Sequence, residues 1–344
     1  MFTAGCSVKI AAYHTRFLPT GHQALHIMRI SVILLSYNYA AYLSVAIASV
    51  LRQTHPAHEL IIVDDGSSDA SWDLLLQWQA RHPEAIRLFS HPERVHCGLV
   101  ASYRMALSKT SGELVAFMES DDEWKDTNLE EKARALEQHP EAGVAYADYA
   151  PFGLWRGIFY WQLYAWANRI TTAHGQVFNA LPVLLKRNMV ASFSHFMARR
   201  QLLADLPFPR KSTKNFDWWV LAHLANITPF YFIPKRLTRW RIHTRSAAYG
   251  RITLDSLRAL SVFLIDCYRS LQAQGGCTPA LAKKIREAFY YIKAFQTGRH
   301  AYVFKMMRRY PLATLRFFVH ILLRNCLFPE RALDLNDDSS PSRS

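Results

Sequence analysis

Two short apolar runs constrain this chain more than any other feature. Residues 30–37 read ISVILLSY and residues 59–65 read ELIIVDD. Both are near-continuous aliphatic stretches without polar alternation, the pattern of strands buried on both faces. Between them LSVAIASVLRQ (43–53) repeats apolar positions at helical spacing, and Pro56 ends that region. A helix joining two fully buried strands requires a parallel sheet covered by helices.

The alternation continues downstream. GSSDAS (66–71) is a turn whose Ser and Asp side chains cap a helix beginning near Trp72. Ala85–Ser90 suits a strand, Leu99–Ser108 a helix, ELVAFME a strand and Asn128–His139 a helix; GVAYADY (143–149) suits a further strand. Ligands of open α/β sheets lie beyond the carboxyl ends of the strands. Asp65 and Asp121 both stand at such ends, so residues 29–150 read as a nucleotide-binding half.

The second half changes character. Residues 151–168 are rich in aromatics and hold no acid. They read either as core packing or as a wall on which sugar rings stack. Residues 188–206 suggest a strand then a short helix, and 215–226 a helix. FYFIPKRLTRWRIH suggests two strands interrupted at Pro234, and the chain reads as helical from Leu254. The domains expected are an extension over 1–28, a body over 29–250, with 151–250 serving the acceptor, helices over 251–333 and a disordered tail over 334–344.

Composition narrows the partners. The formal charge of +14 over 344 residues calls for an anionic partner, and neither zinc-finger spacing nor an RNP pattern points to nucleic acid. The five cysteines are far apart and form no CxxC pair, which fits reduced thiols in the cytoplasm. Residues 1–28 lack the continuous apolar core of a signal peptide. From Arg299 to Arg324 there are six Lys or Arg and no acid, around LATLRFFVHILL. That segment is too short and interrupted to span a bilayer. It suits an interfacial helix on the inner face of the membrane, or equally a helix docked on the body with its basic side in solvent.

Four groups of residues carry chemistry. Asp64 and Asp65 close the second strand: Asp64 reads as a turn cap, and Asp65 as an acceptor for a base imide or ribose hydroxyl. Glu119, Asp121 and Asp122 follow the strand LVAFM. Three acids within four residues repel one another unless a cation offsets them. Hard oxygen ligands suit Mg²⁺ or Mn²⁺, which would support departure of a diphosphate. Asp217, flanked by Phe216, Trp218 and Trp219, is an acid in apolar surroundings that favour a general base; an N-cap for a helix over 218–225 is the other reading, and for the tryptophans it is core packing. Arg239, Arg241, His243 and Arg245 alternate and would share one side of a strand, facing a diphosphate. His243 would complete a metal shell, or be structural.

Taken together these segments resemble the family 2 glycosyltransferases of the GT-A fold over about residues 29–250. The resemblance rests on SVILLSYNYAAYLSVAIASVLRQT, ELIIVDDGSSD and HCGLVASYRMALSKTSGELVAFMESDDEW. It implies a Rossmann-like, mostly parallel sheet with flanking helices and a C-terminal helical region. It also implies that Leu35, Tyr37, Asp65, Arg104, Asp121 and Arg241 bind a nucleotide-sugar donor. Metal would be held by Glu119, Asp121, Asp122 and His243, with Trp218 and Trp219 at the acceptor. The later half is similar to bacterial rhamnosyltransferase-like members through Phe216-Asp217-Trp218-Trp219 and Trp240-Arg241-Ile242-His243, which makes Asp217 the expected base. KRNMVASFSHFMARR looks like the segment that borders the acceptor. Glu119 replaces the usual first Asp of the metal motif, Phe216 an acid or His, and Arg104 an Asn, while His96-Cys97 occupies a turn usually rich in Asn and Gly. The expected activity is inverting transfer of a sugar from a UDP- or dTDP-sugar to a glycan or lipid-linked saccharide. The alternatives are a binding protein without catalysis and a nucleotidyltransferase.

Overall fold

The computed structural model describes residues 28–167, 175–185, 188–209, 215–246 and 254–275, with Lys283 and Arg308 besides. The expectations for the N-terminal extension, the basic 299–324 segment and the tail lie outside the described residues. The elements run β1 (Ile30–Ser36), α1 (Ala40–Leu51), β2 (Glu59–Asp64), α2 (Ser71–Arg81), β3 (Ile86–Ser90), α3 (Leu99–Ser108), β4 (Leu114–Glu119), β5 (Glu123–Trp124), α4 (Asn128–Gln138), β6 (Val144–Gly153) and α5 (Trp155–Ala167). They continue with β7 (Val177–Phe178), α6 (Leu181–Leu184), β8 (Phe196–Arg199), α7 (Arg200–Ala204), α8 (Phe216–Ile227), β9 (Phe230–Ile242) and α9 (Leu254–Ala273).

The strand order is β3-β2-β1-β4-β8-β6-β9-β5, and β7 also pairs with β9. The first four are parallel. β8 pairs antiparallel with β4 and β6, and β9 antiparallel with β5 and β7, so the parallel half ends at β4. Register places the chemistry: Ser36 lies opposite Asp64, and Leu35 opposite Glu119. The carboxyl ends of β2 and β4, each carrying acids, therefore lie on either side of β1.

The parallel strands behave as their composition demands. Ile30, Val32, Leu34, Leu60 and Ile62 are buried in one apolar core with Leu114, Ala116 and Met118. From α1 this core takes Leu43, Ala46, Ile47 and Val50, the i, i+3, i+4, i+7 stripe of a helix lying on a sheet. From α4 it takes Leu129, Ala133 and Leu136. Among the described residues, those up to Ala150, those from Thr171 to Trp240 and those from Asp266 to Ile285 form the larger compact unit. Those from Pro151 to Ile170 and from Arg241 to Ile265 form the smaller.

Two local expectations need correction. Helix α2 begins at Ser71 behind Ala70, with no side-chain cap at the N-cap; Asp69 instead accepts from the Ser71 amide at 2.9 Å. Strand β9 is one strand of 13 residues, unbroken at Pro234. Pro234 is exposed and lies between the pairing of Phe230 and Tyr231 with β7 and that of Thr238 and Arg239 with β5. A proline is tolerated in a strand where no ladder partner needs its amide.

Candidate active site

The turn after β2 is built for close approach. Gly66 has φ +77°, and a Cβ there would stand 2.6 Å from the Arg94 carbonyl oxygen and 2.8 Å from the His96 amide nitrogen. The loop from Arg94 to Gly98 thus lies directly on the DDGS turn. Asp64 is buried and structural: its carboxylate accepts from the Ser67 amide at 2.9 Å and from Ser67 Oγ at 2.6 Å. Asp65 is also buried, and its Oδ1 accepts from the amides of Cys97 at 2.8 Å and Gly98 at 3.2 Å. His96 Nδ1 lies 3.1 Å from Asp65 Oδ2, and the His96 ring lies against Tyr37, tilted by 31° with 4.1 Å between centroids. Tyr37 is 40% exposed, so this pair offers an open aromatic face with a carboxylate beneath it. The Leu35 carbonyl is engaged by Ser120 Oγ. Arg104 is exposed on α3, with its guanidinium 5.8 Å from the Phe208 ring centroid.

Beyond β4 the acids crowd together. Glu119 is partly buried, and its carboxyl is pushed well above the ordinary range, first by burial and then by the charges of Asp121, Asp122 and Asp217. Asp217 thus joins the acids of β4 across almost 100 residues of sequence. It lies inside the first turn of α8, behind the N-cap Asn215, so the N-cap reading of Asp217 is corrected. Burial pushes its carboxyl up to about 6, against the lowering effect of the Trp218 amide, the Asn188 side chain and its own amide. Desolvation thus outweighs the helix N-terminus. Tyr103, buried on α3, is raised well above its ordinary value by burial, then by Glu119 and Asp217.

The expected metal set is not a preformed cage. Among the described residues no group of three or more His, Cys, Asp or Glu side chains could hold a metal ion. Asp122 is buried and accepts from Ser192 Oγ at 3.4 Å, so it faces the polypeptide. His243 belongs to the smaller unit, and its Nδ1 accepts from the Arg245 amide at 3.2 Å. Arg241, in the same unit, lies 4.4 Å from the Phe152 ring centroid. Arg239 pairs with Glu123. Of the four alternating basic residues, Arg239 and Arg241 lie on β9, whereas His243 and Arg245 lie beyond its end at Ile242. The donor chemistry of Glu119 and Asp121 still suits a hard divalent cation, because their repulsion is what such an ion relieves. Mg²⁺-type sites commonly use one or two carboxylates and take their other ligands from water and phosphate.

The tryptophans divide. Trp219 is 5% exposed, donates from Nε1 to the Pro207 carbonyl at 2.7 Å and stacks on His223. It packs as a core residue, the second of the two readings given for the tryptophans. Trp218 is partly buried and donates to the Leu184 carbonyl at 2.7 Å. Phe216 packs against Tyr103 and Phe193. Cys97 and Cys267 are free, and burial pushes the Cys267 thiol up to about 12. Sequence reasoning missed Asn188, Ser192 and Ser194, which hold the acids in place. Their only signal was a segment, KRNMVASFSHFMARR, in which no residue stands out by chemistry.

An uncharacterized glycosyltransferase of Nostoc is 40% identical over 117 residues, 34% of this chain and 35% of that protein. A Bacillus subtilis glycosyltransferase named TuaG, linked by its name to teichuronic acid biosynthesis, is 40% identical over 103 residues, 30% of this chain and 40% of that protein. The match thus spans well under two thirds of these relatives. Among solved structures, Staphylococcus aureus TarS 1-349 in complex with UDP-GlcNAc superposes with TM-score 0.54 at 17% identity, covering 87% of this chain and 90% of that one. A mannosyltransferase of Pyrobaculum calidifontis in complex with GDP-Man and Mn²⁺ gives TM-score 0.54 at 16% identity, covering 85% and 79%. The fold is GT-A. The profile of Glycosyl transferase family 2 matches residues 31–206, half of the chain, and the protein belongs to that family.

Proposed function

We propose that the chain is an inverting, metal-assisted glycosyltransferase that moves a sugar from a nucleotide-diphosphate donor to a hydroxyl of a glycan or lipid-linked saccharide, in the synthesis of a bacterial surface polysaccharide. The observation that carries this reading is Asp217, a desolvated carboxyl with its proton affinity raised to about 6, grouped with the acids at the end of β4. A general base works best when its pKa lies near the operating pH. In the proposed reaction the base ring lies against Tyr37 and His96, and Asp65 anchors that platform. Asp121 and Glu119 would hold Mn²⁺ or Mg²⁺. A cation in that position offsets the charge that develops on the departing diphosphate. Asp217 takes the proton of the acceptor hydroxyl, whose oxygen attacks the anomeric carbon from the face opposite the leaving group. Trp218 is a proposed acceptor contact.

The named relatives and the rhamnosyltransferase-like segment suggest which donors to try. Purified protein incubated with UDP-GlcNAc, UDP-glucose, GDP-mannose and dTDP-rhamnose, each with Mn²⁺ or Mg²⁺, should release nucleoside diphosphate from at least one. Binding of these donors without turnover would favour a non-catalytic binder. Pyrophosphate release from a nucleoside triphosphate and a sugar phosphate would favour a nucleotidyltransferase. Retention of anomeric configuration, read by NMR, would overturn the single displacement. Among the described residues no helix is long and apolar enough to cross a membrane. Peripheral contact with the cytoplasmic face through residues 299–324 is part of the proposal, and failure of the full chain to bind anionic liposomes at low salt would remove it.

A further inference from the structure

One loop reaches three of the acidic residues of the candidate site, Asp217, Asp122 and Glu119. Residues 188–195 lead into β8, and three of them reach the carboxylate-bearing segments. Asn188 Nδ2 donates to Asp217 Oδ2 at 2.7 Å. Ser192 Oγ donates to Asp122 Oδ2 at 3.4 Å. Ser194 Oγ accepts from the Glu119 amide at 2.9 Å. The loop itself is anchored from below. The Ser194 carbonyl accepts from Trp124 Nε1 at 2.9 Å, Lys132 Nζ at 3.2 Å and Thr238 Oγ1 at 3.1 Å. Lys132 and Thr238 are fully buried, so that carbonyl is held by donors that have no water to turn to. His195 binds the Val190 carbonyl through Nδ1, and its ring stacks on Tyr149 at 4.5 Å and 6°. Between these anchors Ala191 holds φ +68°, a conformation that L side chains adopt only where the surroundings impose it.

The orientation of the Asn188 amide is dictated by the same loop. Its Oδ1 accepts from the Val190 amide at 3.2 Å. The oxygen is therefore turned to the loop backbone, and the NH₂ group must face Asp217. No flipped amide satisfies both partners, because a carboxylate only accepts and an amide N–H only donates.

We propose that Asn188 is a positioning residue for Asp217: it holds the carboxylate in the orientation that receives the acceptor proton, and the anchored 188–195 loop ties that orientation to the acids of β4. This rests on the reading of Asp217 as the base. A buried carboxylate on a short side chain rotates about two torsions, and a donor bound to one oxygen removes that freedom. Misplacement of a reacting group by about 1 Å can cost on the order of 10²-fold in rate.

The test is a double-mutant cycle in the full chain, read by hydrolysis or transfer from whichever of UDP-GlcNAc, UDP-glucose, GDP-mannose or dTDP-rhamnose the wild type uses fastest. Asn188→Ala should lower kcat roughly 10- to 100-fold and leave the donor KM within about twofold, because Asn188 acts only through the base. Asn188→Asp keeps the shape but turns the donor into an acceptor, and should lose at least as much. Asn188→Ser retains a hydroxyl donor and should recover part of the loss. In the Asp217→Asn background, Asn188→Ala should change the rate by less than about twofold. Calorimetric binding of UDP and a cooperative melt establish that each variant is folded, and Asn188→Asp and Asn188→Ser carry the test if the alanine variant is not. Full loss in Asp217→Asn with unchanged kcat in the Asn188 variants overturns the Asn188 inference alone. Additive losses, or a loss confined to KM, do the same. Normal turnover in Asp217→Asn overturns the base reading itself.

Discussion

His96 lies over Asp65, with Nδ1 at 3.1 Å from the carboxylate, while its ring lies tilted against Tyr37. The carboxylate meanwhile accepts from the amides of Cys97 and Gly98. Asp65 is therefore both the floor of an exposed aromatic face and the peg that fixes the loop forming it. Changing it removes two things at once.

Asp65→Ala is expected to weaken UDP binding by roughly 10- to 100-fold, the scale of hydrogen bonds to a charged group. It should also speed hydrogen exchange at the Cys97 and Gly98 amides. Calorimetry and exchange mass spectrometry read the two effects separately. Unchanged affinity with faster exchange would leave Asp65 a loop anchor only.

Asp121→Ala should abolish divalent-dependent turnover with little change in melting temperature, since Asp121 is only partly buried. Wild-type activity should disappear in EDTA and return with Mn²⁺ or Mg²⁺. Turnover that survives chelation would count against the metal assignment.

Asp217→Asn should leave UDP affinity near wild type and lower kcat by roughly 10²- to 10⁴-fold. In the wild type, kcat should rise with pH through about 6, because the base must be ionised and burial raises its carboxyl to that value. The same shift has a stability sign. A carboxyl raised from 3.8 to about 6 on folding binds its proton more tightly in the native state, so stability is lost as pH rises across that window. At pH 8 the Asn variant should be the more stable by about 1–3 kcal/mol, and at pH 4 the difference should shrink. Melting curves at the two values check this.

His223 works in the opposite direction. Its ring contacts the Trp219 carbonyl at 2.8 Å and Ser270 Oγ at 2.9 Å, and burial lowers its pKa from 6.5 to about 4. The native state refuses a proton that the unfolded chain accepts. Stability is therefore full above about 6.5 and falls as pH drops towards 4. His223→Gln should flatten that part of the stability profile, measured by urea unfolding at pH 7 and pH 4.5.

Gly66→Ala should destabilise the fold by about 1–3 kcal/mol. The positive φ is strained for alanine, and its Cβ would collide with the backbone at Arg94 and His96. Displacement of that loop should also weaken UDP binding, which separates this position from a remote destabilising change.

Much of the parallel half was legible in the chain itself. The runs that became β1, β2 and β4 are apolar because each is covered on both faces, and such burial leaves a mark in every residue of the run. The acids at their ends are equally plain to see, although a carboxylate after a buried strand also serves as a turn cap, as Asp64 does. What the sequence determined by itself was therefore the βαβ order and the placement of Asp65 and Asp121 at strand ends. It could not determine partners distant along the chain. That Asn188 holds Asp217, that Lys132 is buried beneath the Ser194 carbonyl, that Trp219 turns inward and that Asp122 faces Ser192 follow from which helix and loop pack beside β4 and β8. In the antiparallel half the runs of β6, β8 and β9 were legible, but β5 and β7 have two residues each, and their pairing is set by neighbours on the sheet rather than by their own pattern. Local burial is written into hydrophobic periodicity; the direction a polar side chain turns is decided only when tertiary packing removes its water and leaves one partner within reach.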